Sequence, residues 1–274
     1  MNRQHPWQTQ RTRMTEPTRQ DNVCSPSEPG PPQTVEVSVI VPVFNEADNV
    51  ESLCHEIVAA MKTTEQPFEI LFVDDASTDG SAARLAALQA GASVQVLKHR
   101  LNYGQSAAIA TGFRHARGAW VATLDGDGQN DPSDLPRLLE HLVATGADGV
   151  TGVRTVRRDN RLRRISSRIG NGFRNRVTGD RISDSGCGIR IVRRACLAEV
   201  PVFNGMHRFL PTLLRGQGFR IEELPVNHRP RLHGASKYGV HNRLWRGLRD
   251  CLGVGWYLAR ALPANRVEPG EGNP

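Results

Sequence analysis

The sequence predicts an α/β fold in which a mostly parallel central sheet is flanked by helices. Short runs of β-branched and apolar residues alternate with segments whose apolar residues recur at helical spacing. Strands separated by helices of this length imply right-handed crossovers between parallel strands. A chain of 274 residues can bury a core without disulfide or metal staples. Its 5 scattered cysteines include no CxxC pair, which argues against a disulfide framework or a zinc knuckle.

Strands and helices alternate through the first half of the chain. The strands are predicted at residues 35–43, 68–73, 93–97 and 120–124. The helices are predicted at residues 50–61, 84–90 and 104–117, followed by one that Asp131-Pro132 opens with proline in its first turn. Ligands of such sheets bind at the carboxyl ends of the strands, so the candidate site lies in the loops that follow them.

The remaining segments differ in composition from this region. Residues 1–34 lack the apolar segment of a signal peptide and predict a disordered leader, and residues 263–274 predict a disordered tail. Residues 35–240 predict one α/β domain. Residues 241–262 predict an amphipathic helix that lies at a membrane interface or packs on the core, and no apolar stretch approaches the roughly 20 residues of a membrane span. The apolar residues of this helix are Leu244, Trp245, Leu248, Leu252, Trp256 and Tyr257.

Carboxylates follow three of the predicted strands. Glu46 comes after the first strand, Asp74 and Asp75 end the second, and Asp125 and Asp127 follow the fourth. A single aspartate after a strand is more often a turn former or a helix cap. Because the carboxyl ends of parallel strands share one edge of the sheet, three such positions together predict a binding site.

The segment Asp125-Gly126-Asp127 has the spacing of a metal site. Two carboxylates at positions i and i+2 of a glycine-containing turn can face one hard cation that also bridges phosphate oxygens, which suits Mg²⁺ or Mn²⁺ on a diphosphate. The other oxygen ligands of an EF-hand are missing, and neither GxGxxG nor GxxxxGK[ST] occurs. The pattern therefore argues against a calcium loop, a dinucleotide fold and a P-loop.

Positive charge is concentrated in one segment. The chain carries +7, with 35 Lys and Arg against 28 Asp and Glu. Residues 154–181 contain ten arginines and two aspartates, a net +8, and arginine favours phosphate because its guanidinium binds phosphate oxygens in pairs. A solvated helix face, nucleic acid, anionic lipid and a phosphorylated substrate remain alternatives. The arginines are Arg154, Arg157, Arg158, Arg161, Arg163, Arg164, Arg168, Arg174, Arg176 and Arg181.

Four motifs in order resemble family 2 glycosyltransferases of the GT-A fold: VPVFNE at 41–46, VDDASTDG at 73–80, NYG at 102–104 and DGDGQ at 125–129. The resemblance covers about residues 36–240. The later segments SDSGCG at 183–188, HRPR at 228–231 and GASKYG at 234–239 are similar to the branch of dolichol-phosphate mannose synthases and bacterial polyprenyl-phosphate glycosyltransferases. The QxxRW signature of processive synthases is absent.

The resemblance implies roles for individual residues. The nucleotide-sugar site would comprise Pro42, Phe44, Glu46, Val73, Asp75, Asp125, Gly126, Asp127 and Gln129, of which Asp125, Asp127 and Gln129 hold the metal. Relatives usually place tyrosine at the position of Phe44. Arg231 and Lys237 would clamp phosphate as a loop closes, and the acceptor phosphate would meet Arg154, Arg163, Arg164 and Ser167.

The implied activity is inverting, metal-dependent transfer of a sugar from a UDP- or GDP-sugar to a polyprenyl phosphate, for cell-envelope glycan or lipid A modification. The lipid acceptor places the protein on the inner face of the cytoplasmic membrane as a peripheral protein, and a membrane-protein partner for its last helix stays open. With a hydroxyl acceptor, Asp184 is the candidate base.

Two other classes fit the residues less well. A nucleic-acid-binding protein would use the arginines, but the carboxylates at the sheet edge would repel a polyphosphate without metal. A sugar-phosphate nucleotidyltransferase would need a glycine-rich basic loop after the first strand, where this chain has FNEA. The histidines show no metal-ligand spacing and are interpreted as structural or surface groups: His99, His115, His207, His228 and His233.

Overall fold

The computed structural model describes residues 35–91, 93–154, 161–230 and 240–262, with the backbone alone over 161–169 and 240–246. The predicted leader and tail lie outside these residues. The described chain forms one sheet whose order is β3-β2-β1-β4-β6-β5-β7. Its strands are β1 (Val37–Val43), β2 (Phe68–Asp74), β3 (Val94–Lys98), β4 (Trp120–Thr123), β5 (Gly149–Arg154), β6 (Arg190–Arg193) and β7 (Ile221–Val226).

Helices cover both faces of this sheet. One core cluster packs α1, α2 and α4 against one face, and the other packs α3, α6 and α7 against the opposite face. Short 3₁₀ helices, Arg194–Leu197 and Met206–Arg208, follow β6. The α-helices are α1 (Val50–Lys62), α2 (Ser81–Leu88), α3 (Gln105–His115), α4 (Asp134–Thr145), α5 (Arg161–Thr178), α6 (Leu210–Gly216) and α7 (Val240–Leu258).

The predicted mostly parallel sheet is confirmed, with β6 as its antiparallel strand. β1 pairs in parallel with β2 and β4, and β5 pairs in parallel with β7, whereas β6 runs antiparallel between β4 and β5. The loops after β1, β2 and β4 therefore meet at one edge. The sequence analysis placed no strand after residue 124, so β5, β6 and β7 are additions of the structure.

Helix ends differ from their predicted positions. α2 begins at Ser81, three residues before the predicted start, because the Asp79 carboxylate accepts the backbone N–H of Ser81 at 2.9 Å. α4 begins at Asp134 and not at Pro132. Pro132 lies in the preceding turn, where its carbonyl accepts the N–H of Leu135 at 3.0 Å. The predicted proline in the first turn of α4 is therefore wrong by two positions.

α7 has both a buried and an exposed apolar side. Cys251 and Val254 are buried in the core cluster, and Gly255 allows close approach to α5, since an added Cβ would lie 2.8 Å from the Val177 carbonyl oxygen. Leu252 and Trp256 are 59% and 62% exposed. Among the helices described, none combines the length and hydropathy that a bilayer span requires.

Candidate functional site

The loops after β1 and β2 form one wall of the candidate site. Asn45 and Ala76 have positive φ values of 54° and 59°, which turn the chain sharply after each strand. The Asn45 backbone N–H donates to Ser77 Oγ at 3.0 Å, and its side-chain oxygen accepts the Thr78 N–H at 2.7 Å. These bonds join the two loops, and Phe44, which precedes the first turn, is half-buried.

Predicted sugar-donor residues from three strands meet at this edge. Pro42 on β1 pairs in register with Val73 on β2. The loop after β4 carries residues 125–129, called here the acidic turn. A Cβ atom added to Gly126 would lie 2.7 Å from the Pro42 carbonyl oxygen, so glycine is needed for the acidic turn to approach β1 this closely. Glu46 is half-buried in the loop after β1.

Asp75 fixes the loop that follows β3. Its carboxylate is buried and accepts the backbone N–H of Tyr103 at 2.9 Å and that of Gly104 at 2.7 Å. His99 Nδ1 lies 2.6 Å from the same carboxylate, and His99 Nε2 lies 2.9 Å from Thr111 Oγ1. Asp75 therefore holds the NYG segment against β2, and His99 belongs to this site and not to the surface.

Asp125 is held from several sides. Its Oδ1 accepts the Gln105 side-chain N–H at 2.7 Å, and its backbone N–H donates to Asn130 Oδ1 at 3.0 Å. A Cβ atom added to Gly188 would overlap the carboxylate, so glycine there makes room for it. Burial, followed by the charge of Asp127, raises the pKa of Asp125 to about 6. The charge of Arg190, the hydrogen bond from Gln105 and the charge of Arg154 oppose this rise.

The acidic turn is tied to the segment that leads into residues 231–239. The Gln129 backbone N–H donates to Asp127 Oδ1 at 3.1 Å, and its carbonyl accepts the Arg229 N–H at 2.9 Å. The Arg229 side chain also binds Asp131 at 2.7 Å and pairs with Glu56. The backbone leaving this site toward residue 231 is therefore anchored on the turn itself.

The acidic turn fits a hard divalent cation. Asp125, Asp127 and Gln129 offer carboxylate and amide oxygens, the ligands that Mg²⁺ and Mn²⁺ prefer. At Gly128, an added Cβ would find nothing within 4 Å, so the turn is open on that side. The turn does not supply a complete set of protein ligands, since the described residues contain no group of three or more His, Cys, Asp or Glu side chains that could hold a metal ion. A cation here would need further oxygens from a ligand.

Half-buried Arg154 and buried Asp184 form an ion pair beside this turn. Arg154 Nε donates to Asp184 Oδ2 at 2.7 Å, and Nη2 donates to Oδ1 at 2.8 Å. The Gly186 backbone N–H also donates to Oδ1, at 3.2 Å. The hydrogen bond to Asp184 raises the pKa of Arg154. With both oxygens occupied, Asp184 orients Arg154 and is poorly placed to accept a proton from a hydroxyl acceptor.

Several predicted residues fall where the structure describes no side chain. Arg163, Arg164 and Ser167 lie on α5, which places their backbone after β5. Arg231 and Lys237 lie outside the described residues. The predicted roles of these five residues remain predictions.

The structure adds residues that the sequence analysis did not select. They are Gln105, Asn130 and Arg190. The structure also brings in Gly188, the last residue of SDSGCG, and His99, which the sequence analysis interpreted as a structural or surface group. Gln105 directly follows NYG, and Gly188 ends SDSGCG, so position beside a motif was the available signal. Arg190 is 5% exposed on β6, a strand without a sequence prediction.

The chain is similar in sequence to known glycosyltransferases. The model of a family described as Glycosyl transferase family 2 matches residues 38–200. A dodecaprenyl-phosphate galacturonate synthase of Rhizobium johnstonii is 37% identical over 233 residues, 83% of this chain and 69% of that protein. An undecaprenyl-phosphate 4-deoxy-4-formamido-L-arabinose transferase of Edwardsiella ictaluri is 40% identical over 206 residues, 74% of this chain and 63% of that protein. The chain thus spans about two thirds of the length of these curated relatives.

Solved structures share the fold. Glucosyl-3-phosphoglycerate synthase of Mycobacterium tuberculosis, solved with Mn²⁺, UDP and phosphoglyceric acid, has a TM-score of 0.61 and 17% identity, covering 84% of this chain and 80% of that one. A mannosyltransferase of Pyrobaculum calidifontis with GDP-Man and Mn²⁺ has a TM-score of 0.53 and 20% identity, covering 87% and 74%. These likenesses confirm the predicted GT-A fold.

Proposed function

The chain belongs to glycosyl transferase family 2, and from this premise we propose that it transfers a sugar from a UDP- or GDP-sugar to a polyprenyl phosphate. The observation that carries the proposal is the acidic turn at the carboxyl edge of the sheet, with the Arg154–Asp184 pair beside it. Relatives named as polyprenyl-phosphate sugar transferases, each at least 37% identical, support the class of acceptor.

The sugar-donor site is formed by the walls around the acidic turn. Phe44 would offer an aromatic face to the base, and the half-buried Glu46 would offer a carboxylate. Val73 and Asp75 are buried and shape the wall behind them: Val73 packs in the core, and the Asp75 carboxylate binds the N–H groups of Tyr103 and Gly104. Asp125, Asp127 and Gln129 would hold a Mg²⁺ or Mn²⁺ ion on the diphosphate. When bound, such an ion stabilises the negative charge that develops on the leaving nucleoside diphosphate. Arg231 and Lys237 would neutralise the same phosphates from the neighbouring loop.

The acceptor phosphate needs orientation more than activation. A lipid monophosphate is already anionic near neutral pH, so its oxygen can attack the anomeric carbon in a single displacement without a general base. Arg154, fixed by Asp184, would aim that phosphate, together with Arg163, Arg164 and Ser167 of α5. Inversion at the sugar follows from the single displacement.

The hydroxyl-acceptor alternative requires a base, and the occupied carboxylate of Asp184 weakens it. A nucleic-acid-binding function is not proposed, because the chain's family is enzymatic and its site is lined by carboxylates.

Membrane contact is proposed for α7. Leu252 and Trp256, four residues apart, expose apolar surface on one side of the helix, and the Arg260 guanidinium lies 5.0 Å from the centre of the Trp256 ring. An apolar face bordered by arginines suits the headgroup region of an anionic membrane. The protein would then meet its lipid substrate as a peripheral protein on the inner face of the cytoplasmic membrane, alone or with a membrane-protein partner.

Transfer can be tested directly with the purified full chain. Radiolabelled UDP- and GDP-sugars are incubated with polyprenyl phosphate and Mn²⁺ or Mg²⁺, and the organic-extractable label is counted. We expect label from one sugar, and we expect chelation of the metal to abolish it. In Asp127→Ala the label should fall at least a hundred-fold, a loss typical of removing an electrostatic catalytic group. Glu140→Ala, which removes an exposed carboxylate on α4, is the matched control and should keep full transfer.

The outcomes separate the two halves of the proposal. Nucleotide binding with metal but without labelled lipid would overturn the acceptor assignment and leave the sugar-donor site standing. Absence of nucleotide binding under every condition would overturn both.

A further inference from the structure

Arg190 is a buried cation in the middle of the sheet. Its residue is 5% exposed, and its register partners are Thr123 on β4 and Thr151 on β5. Nη1 donates to the His207 carbonyl oxygen at 2.8 Å, and Nη2 donates to the Cys187 carbonyl oxygen. Both acceptors are neutral, and Nε has no hydrogen-bond partner among the described residues. A guanidinium buried in this way requires a nearby anion.

The carboxylate whose charge acts most strongly on Arg190 is that of Asp125. Because Thr123 lies opposite Arg190 in an antiparallel pair, the positions two residues further on, Asp125 and Gly188, face the same side of the sheet. Gly188 leaves room for the Asp125 carboxylate next to Arg190. The positive charge of Arg190 opposes the rise in the Asp125 pKa. Asp184, the other carboxylate that interacts with Arg190, is already bound through both oxygens by Arg154.

We propose that Arg190 is a positioning residue that makes metal binding at the acidic turn depend on the diphosphate of the sugar donor, an inference that rests on the proposed function. Asp125 and Asp127 are both acidic, and the positive charge of Arg190 acts on Asp125 more strongly than that of Arg154. Repulsion by the guanidinium therefore weakens binding of a divalent cation to the turn alone. A diphosphate brings both the missing oxygen ligands and the missing negative charge, so metal and nucleotide bind together and leave together.

The test measures binding of Mn²⁺ alone, by electron paramagnetic resonance of the free ion, and repeats it with UDP and with GDP. Wild type should bind Mn²⁺ weakly alone and at least ten-fold more tightly with the matching nucleotide. Arg190→Gln, which removes the charge, should bind Mn²⁺ alone about ten-fold more tightly and gain less from nucleotide. Arg190→Lys keeps the charge and should behave like wild type.

Arg174→Gln is the matched control, because Arg174 is also a buried arginine, at 4% exposure. It interacts with Asp180, Glu223 and Asp184. It is not among the groups that shift the pKa of Asp125. Its Mn²⁺ affinity should be that of wild type. An unchanged affinity in folded Arg190→Gln, or an equal shift in Arg190→Lys, would overturn the inference while nucleotide binding by wild type preserved the proposed function. If Arg190→Gln does not fold, micromolar binding of Mn²⁺ alone to wild type overturns the inference, and weak binding strengthened by nucleotide supports it.

Discussion

At the scale of the residue, Asp125 concentrates the chemistry of the site. Gln105 and Asn130 hold its side chain and backbone, Gly188 makes room for it, and Asp127 repels its charge. A carboxylate that is fixed in place but incompletely neutralised is prepared to bind a cation. The arrangement suits the proposed transfer, in which negative charge develops on the leaving diphosphate.

Substitution of Gly188 should disable this arrangement. In Gly188→Ala the added methyl group overlaps the Asp125 carboxylate and displaces it. We expect binding of Mn²⁺ with nucleotide to weaken at least ten-fold, or about 1.4 kcal/mol, measured by isothermal titration calorimetry. Gly172→Ala on α5, where an added Cβ meets nothing within 4 Å, is the control and should bind like wild type. Equal affinity in both variants would show that the space at Gly188 is not needed to hold the Asp125 carboxylate in place.

The raised pKa of Asp125, about 6 against an ordinary 3.8, predicts a pH dependence of stability in the metal-free protein. The folded state holds this proton more tightly than the unfolded state does. The resulting stabilisation is present below about pH 4 and is lost as the pH rises through about 6. Urea denaturation between these pH values should show a shallower fall in the free energy of unfolding for Asp125→Asn than for wild type. Parallel curves would show that the pKa of Asp125 is ordinary.

At the scale of the element, α7 presents a buried face and an exposed apolar face. Cys251 and Val254 pack in the core, so the helix is part of the fold, while Leu252 and Trp256 remain exposed. The alternatives of core helix and interfacial helix were therefore not exclusive, since a helix presents different residues every 100°.

The exposed face of α7 should carry the attachment to lipid. We expect Leu252→Ser combined with Trp256→Ser to weaken binding to anionic vesicles in cosedimentation at least a hundred-fold, because each buried large apolar side chain contributes roughly 1.5–3 kcal/mol. Val143→Ser on α4, a residue 72% exposed, is the control and should leave cosedimentation unchanged. Undiminished binding of the double variant would assign membrane contact to another surface.

At the scale of the whole molecule, the proposed sugar-donor site joins loops from separate parts of the chain. Residues 45 and 78, 75 and 104, and 105 and 125 are connected by hydrogen bonds between different β–α units. A ligand bound at these loops would therefore stabilise the packing of the sheet edge as a whole.

Ligand removal should accordingly lower thermal stability. With Mn²⁺ and the matching nucleotide at about 100 times Kd, we expect about 2.7 kcal/mol of stabilisation, which raises Tm by roughly 5–10 °C for a chain of this size. Addition of EDTA should reverse the shift in differential scanning fluorimetry, and Asp127→Ala should show none. A shift that survives EDTA would mean that nucleotide binds without metal.

The sequence by itself determined the α/β class, the strands through β4 and the carboxylates at their ends. Apolar periodicity reports which residues of a segment are buried, and parallel topology then places the carboxyl ends at one edge. Four ordered motifs also identified the family.

Tertiary structure decided the environment of that site. Pairing of the four-residue β6 between β4 and β5 sets Gly188 and Arg190 beside Asp125, across a separation of about 65 residues in the chain. It also engaged the carboxylate of Asp184 with Arg154. Hydrophobic patterning is local, whereas strand order and the partner of a buried charge depend on contacts between distant segments, so no reading of periodicity could supply them.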